Sequence, residues 1–182
     1  MQQQSFASAI ASYQKKRTLA WALGVELANT PHLALGPIRF QDAALADTWS
    51  QQWTDQSKRP TWQWTEMFAR YNQKSAFCRF EVAVRVAGRL CALAYGMPSN
   101  SKLILRIHAL ERAPQMNPLA GHVLPVILAT VDAYARILGS REIWICNPMN
   151  PRIAKHYENY DFTPVIGPGG ATSHLIMRLS DG

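Results

Sequence analysis

The segment NPRIAKHYENYDF, residues 150 to 162, follows the apolar run Glu142 to Cys146 and sets a tyrosine seven residues after an asparagine. Seven residues make two helical turns, so Asn150, Ile153 and Tyr157 fall on one face of a short helix. The apolar run reads as a buried strand, and ligands of open α/β sheets gather just beyond such strand ends. There Asn147 and Asn150 offer side-chain amides to a polar ligand. A tyrosine hydroxyl facing the same cleft can give a proton to a leaving group. Tyr157 and Tyr160 would equally serve to pack this helix onto the sheet.

A second segment, ERAPQMNPLAGHVLPVIL (residues 111 to 128), brings Pro114, Pro118 and Gly121 to the start of a long apolar helix. The first N–H groups of a helix lack partners within it and bind anions, above all a pyrophosphate. Gly121 would let the backbone come close to such a ligand. An ordinary loop whose glycine eases the turn accounts for the same residues. No complete GxGxxG or GxxxxGK[ST] pattern is present, so neither a dinucleotide fingerprint nor a P-loop is read here.

These residues must be positioned by a chain of 182 residues, one domain by size and long enough for a sizeable core. Its composition, 48% apolar and 17% charged, is that of a globular protein. The net charge of +7 favours anionic ligands, but the basic residues are dispersed and only Lys15-Lys16-Arg17 form a tight cluster. The charge is therefore compatible with a nucleic-acid partner without being proof of one, and such a partner is possible but not the favoured reading. The cysteines, Cys78, Cys91 and Cys146, are odd in number and form no CxxC pair. That pattern argues against a disulfide framework or a zinc knuckle, leaves no metal site to expect, and fits a reducing compartment, the cytoplasm. No apolar run is long enough to span a membrane.

The element pattern is mixed. Residues 4 to 28 carry helical spacing, with Phe6, Ile10, Tyr13, Ala20, Trp21 and Leu27 on one side. We read residues 1 to 30 as a helical extension and 31 to 182 as a single domain. The extension must bury its stripe on that domain or on a second subunit, which leaves a homodimer open. A strand over 33 to 40, a helix from Gln41 to about Trp53 and another in TWQWTEMFARYN come next. From Phe77 the chain alternates and is rich in valine, with Ala87-Gly88 as the turn of a hairpin and KLILRIHALER as a third strand. A helix over 121 to 138, a buried strand 141 to 146, a helix 150 to 160 and two strands around GPGG complete an α/β fold. An antiparallel meander thus precedes a parallel strand–helix–strand unit, because a crossover helix makes its flanking strands parallel.

In this order of elements, over most of residues 33 to 180, the chain resembles the GNAT-type N-acetyltransferases. NPRIAKHYENYDF resembles that family's N-x-x-[AI]-x-x-[FH]-Y-[EK]-x-x-[GD]-F signature, with Asn150, Tyr157 and Phe162 in register. VILATVDAYARILG resembles the crossover helix that follows the family's acetyl-CoA loop. The resemblance implies a GNAT-like fold, acetyl-CoA as co-substrate, Tyr157 as the general acid for the CoA sulfur and Asn150 as a cofactor contact. It also implies that backbone groups of Leu110 and Arg112 hold the pantetheine arm, and that Ala120, Gly121, His122 and Val123 cradle the pyrophosphate. The loop departs from the family's [QR]-x-x-G-x-[GA]: Pro118 stands first and Val123 at the second small position. His122 or Arg112 would then supply the missing polar contact.

Acetylation of an amine needs a base to free the nitrogen lone pair. Glu111, His108 and Glu81 are the candidates, and Glu111 is favoured by its place next to the loop. Strict alternation would put His108 on the face of Leu110 and Arg112 with Glu111 opposite, unless a bulge intervenes. Trp49, Trp53, Trp62 and Trp64, with Asp47, Asp55 and Glu66 nearby, would form an aromatic wall for a cationic or flat amine, or would pack helices onto the sheet. The acceptor expected is a small-molecule or peptide amine. Two other readings stand beside it: a toxin-like acetyltransferase acting on aminoacyl-tRNA, and a catalytically silent acyl-CoA-binding protein.

Overall fold

The structure, a computed structural model, describes residues 2–55 and 60–180, with side chains from Phe6 onward. Helix α1 (Gln2–Ala28) leads into strand β1 (Leu33–Gly36), then helices α2 (Phe40–Asp47), α3 (Trp49–Gln52) and α4 (Trp64–Tyr71). The meander is β2 (Phe80–Val86), β3 (Arg89–Pro98) and β4 (Ile104–Arg112). Helix α5 (Val123–Leu138), β5 (Glu142–Cys146), α6 (Pro151–Glu158), β6 (Thr163–Ile166) and β7 (Thr172–Arg178) complete the chain. One sheet runs β1-β2-β3-β4-β5-β7-β6, and only β4 and β5 pair in parallel, as the α5 crossover requires. The hairpin turn is at Ala87 and Gly88, both with positive φ (49° and 80°), the geometry of a two-residue loop.

The sheet separates two apolar clusters. On β2, Phe80, Val82 and Val84 face α1, α5 and α6, while Ala83 faces α2–α4. The local boundaries differ from the sequence reading for identifiable reasons. Pro37 ends β1 at Gly36, because proline cannot donate to the ladder. The helix expected to run to Trp53 is interrupted at Thr48, and Trp53 has an extended backbone (φ −75°, ψ 117°). Trp49 therefore joins the core under α2–α4, while Trp53 turns toward β4.

Helix α1 packs on α5 and β1 of the same chain, burying Tyr13, Ala20 and Trp21, while Phe6, Ile10 and Leu27 stay exposed. Its anchor is polar. The Trp21 indole donates to Glu81 O at 2.9 Å, and the Arg17 guanidinium donates to Phe77 O and Arg79 O at 2.9 and 3.2 Å. Glu81, 1% exposed, lies 3.7 Å from Arg17 Nε, pairs with Arg79 at 2.9 Å, and accepts the Ile38 N–H. All of its oxygens are thus engaged in holding α1 and the end of β1 to β2. We therefore assign Glu81 a structural role instead of the base role weighed from sequence.

Candidate active site

The cleft exists because two neighbouring strands part. β4 pairs with β5 only from Ile104–Glu142 to Ile107–Ile145, yet β4 continues to Arg112. The divergence begins at a bulge. Tyr95 pairs with Ala109 and Gly96 with Ile107, so His108 is the extra residue. Gly96 makes room for it, since a Cβ there would lie 2.5 Å from the Arg106 carbonyl oxygen. The bulge also switches the face on which later β4 residues lie: Ile107 joins the α5 side of the core, whereas Ala109 and Ala113 join the α2–α4 side. Glu111 is thereby carried to the α2–α4 side. His108 is bonded through Nδ1 to the Tyr71 hydroxyl, and burial together with Arg70 and Arg106 lowers its pKa.

Past the bulge, β4 presents one free edge. Ala113 N–H donates to Cys91 O at 2.8 Å, so Ala113, Glu111 and Ala109 occupy the positions that exchange hydrogen bonds with β3. By the same alternation, the backbone groups of Leu110 and Arg112 point away from β3, toward the opening. Beyond them the chain turns into α5. Ala120 N–H donates to Asn117 O and His122 N–H to Leu119 O, at 3.0 and 2.8 Å. The N–H groups of Gly121, Val123 and Leu124 donate to no described residue. Gly121 has φ +83°, a conformation side-chain-bearing residues rarely adopt, and the space beside its Cα is open. A cradle of unpaired donors at a helix N-terminus fits an anionic phosphate.

The cleft itself is about 600 Å³ and is lined by Leu110, Glu111, Arg112, Val123, Asn150 and Tyr157 from the sequence reading. Asn147 lines a smaller cavity of about 60 Å³ beside it, with a positive φ of 47° and its N–H on Ser173 O. Ala120, Gly121 and His122 stand at the turn before α5, outside the lining. Asn150 caps α6: its Oδ1 accepts the Ile153 N–H at 3.0 Å, with Pro151 at the first helical position. Tyr157 packs edge-to-face on Phe162 with centroids 5.7 Å apart, and its hydroxyl bonds to no described residue. Burial pushes its pKa far up, so the phenol keeps its proton at any physiological pH.

Glu111 is the most perturbed carboxyl group among the described residues. It is 6% exposed, and its carboxylate accepts the Trp64 indole N–H at 2.6 Å and the Trp53 indole N–H at 3.4 Å. Burial, aided by Asp47, raises its pKa to about 7 against the lowering effect of the two indoles. Glu111 lines the 600 Å³ cleft on one side and a second chamber of about 430 Å³ on the other. Of the expected aromatic wall, Trp53, Trp62 and Trp64 surround these spaces and Trp49 does not. Asp55 lines the cleft, Asp47 the second chamber, and Glu66 lies on α4 outside both linings.

Sequence reasoning missed several lining residues. Met149 and His156 line the cleft beside Asn150, Ile153 and Tyr157, and helical spacing alone would have found His156. The Arg112 guanidinium over the Trp53 ring, 4.7 Å from its centroid, and the bond from Trp64 to Glu111 join residues tens of positions apart and leave no local signal. Among the described residues no group of His, Cys, Asp and Glu could hold a metal, and no helix is long and apolar enough to cross a membrane.

No protein-family model matches the sequence, and no curated protein matches it. Solved structures match most of its length. Ard1 from Thermoplasma volcanium is 11% identical with a TM-score of 0.60 over 82% of this chain and 99% of that one. Mutant forms of the spermidine/spermine N-acetyltransferase SpeG from Vibrio cholerae are 15% identical with a TM-score of 0.55, over 80% and 94%. The Salmonella typhimurium protein yncA, with its cofactor acetyl-CoA, is 11% identical with a TM-score of 0.55, over 83% and 96%. With its parted β4 and β5, its α5 crossover and these neighbours, the chain has the fold of the GNAT N-acetyltransferases.

Proposed function

We propose that this protein is an acetyl-CoA-dependent N-acetyltransferase in which an amine, on a small molecule or a peptide, attacks the thioester directly in a ternary complex. One observation carries the reading: the Glu111 carboxyl, with a pKa of about 7, is the wall shared by the cleft and the second chamber. A base poised near neutral pH between two binding spaces can accept a proton from a nucleophile in one while the electrophile lies in the other. The fold supports the reading, since its solved examples include enzymes named as N-acetyltransferases.

The residues present fit acetyl-CoA. The backbone of Leu110 and Arg112 offers its free edge to the pantetheine amides, and the N–H groups of Gly121, Val123 and Leu124 meet the pyrophosphate. When bound, acetyl-CoA supplies the activated acyl group. Glu111 takes the proton that the acceptor nitrogen gives up as its bond to the acyl carbon forms. Tyr157, protonated and facing the cleft, gives a proton to the sulfur that leaves with the electron pair of the broken C–S bond. The thiols of Cys91 and Cys146 have pKa values raised by burial, so a covalent thiol route is disfavoured. Calorimetric titration tests the premise: the protein should bind acetyl-CoA in a one-to-one complex. No binding heat at any temperature would refute the proposal.

A further inference from the structure

The second chamber differs in chemistry from the cleft. Its polar lining comes from Asp47, Ser50, Gln51, Thr61, Gln63 and the Glu111 carboxyl, and Trp62 and Trp64 supply its apolar faces. Asp47 is already committed: Oδ1 accepts the Trp64 N–H, and Oδ2 accepts the Thr65 N–H at 3.3 Å and hydroxyl at 2.6 Å. It fastens the start of α4 and has little capacity left for a ligand cation. Glu111 is shared with the cleft and titrates near neutrality. Among the described residues, the chamber therefore offers one ammonium group a carboxylate partner and a second ammonium no free carboxylate. Burying an unpaired charge costs far more than burying a hydroxyl or amide that is hydrogen-bonded. The side chains of Gln51, Thr61 and Gln63, by contrast, bond to no described residue, and each glutamine amide both donates and accepts.

Building on the acetyltransferase reading, we infer that the acceptor is a monoamine carried on an uncharged body rich in hydroxyl or amide groups, such as an amino sugar or an amino-acid amide, and is not a polyamine. The single amine lies at Glu111, and the polar body meets Gln51, Thr61 and Gln63. The volume of about 430 Å³ is that of a small-molecule site and suits such a body.

The test measures kcat/KM for acetyl transfer to glucosamine, serinamide and spermidine on the full chain, beside calorimetry with acetyl-CoA. The expected result is at least a tenfold preference for glucosamine or serinamide over spermidine. Replacing Gln63 with Leu (Q63L) should lower kcat/KM for the preferred acceptor by about fivefold, the effect of one lost hydrogen bond. Acetyl-CoA affinity should not change in that variant. A preference for spermidine, or equal rates on preferred acceptors after both Gln51→Leu and Gln63→Leu, would overturn the inference while leaving the acetyltransferase reading intact. Absence of acetyl-CoA binding would overturn both.

Discussion

At the scale of single residues, the site depends on two groups whose burial moves their protons in useful directions. Tyr157 is held protonated, and Glu111 is brought to the neutral range. Tyr157→Phe keeps the ring against Phe162 and removes only the hydroxyl, so turnover should fall by about 10²–10⁴-fold with melting temperature and acetyl-CoA affinity unchanged. Loss of folding together with activity would make the tyrosine a packing residue alone. The Trp64 indole stabilises the ionised form of Glu111. Trp64→Phe should therefore shift the acid limb of the pH–rate profile to higher pH, read by steady-state kinetics across pH. Glu111 has a stability consequence of opposite sense to its proposed catalytic one. Its folded pKa lies above the usual carboxylate value, so the stability it contributes is present below about pH 4.5 and is lost as pH rises through 7. Chemical denaturation at pH 8 should find Glu111→Gln more stable than the wild type by up to about 3 kcal/mol, and equal to it at pH 4.

At the scale of elements, the bulge in β4 and the turn before α5 make the site. Gly121 has a positive φ that other residues resist, at a place where unpaired N–H groups converge. Gly121→Val should weaken acetyl-CoA binding tenfold or more, about 1.4 kcal/mol, as measured by calorimetry, with circular dichroism unchanged. Much at this scale was legible from the chain. The valine-rich alternation located β2 and β3, Ala87-Gly88 gave the hairpin, and Asn150-Pro151 marked the start of α6, because these signals are local. Helix ends were less legible. Thr48 interrupts a pattern whose periodicity continues past it, and α5 starts at Val123 although Gly121 looked like its first turn. The bulge at His108 leaves no periodic trace, since its cause is the close approach of Gly96 to the Arg106 carbonyl across the sheet.

At the scale of the whole molecule, the N-terminal helix is fastened to the sheet by the Arg17–Glu81–Arg79 group, and not by its apolar stripe alone. Arg17→Ala removes one partner of a buried charge and should destabilise the fold by about 3 kcal/mol in denaturant titration, whereas Arg17→Met, which fills the space, should cost less. The sequence pattern shows a helix but not its partner, because Arg17 and Glu81 are 64 positions apart, and of the expected stripe only Tyr13, Ala20 and Trp21 are buried. The candidate site is legible in the same uneven way. Asn150 and Tyr157 share one helix and were found by spacing, while the indole cage around Glu111 is assembled from the end of α3, the start of α4 and β4. The claim that Glu111 works between two chambers is tested most directly by the pH dependence of acetyl transfer in the wild type and in Glu111→Gln. The wild-type profile should show an inflection near pH 7 that the variant lacks, with the variant at least about a hundredfold slower on the plateau. A variant that keeps both the inflection and the wild-type rate would contradict the account.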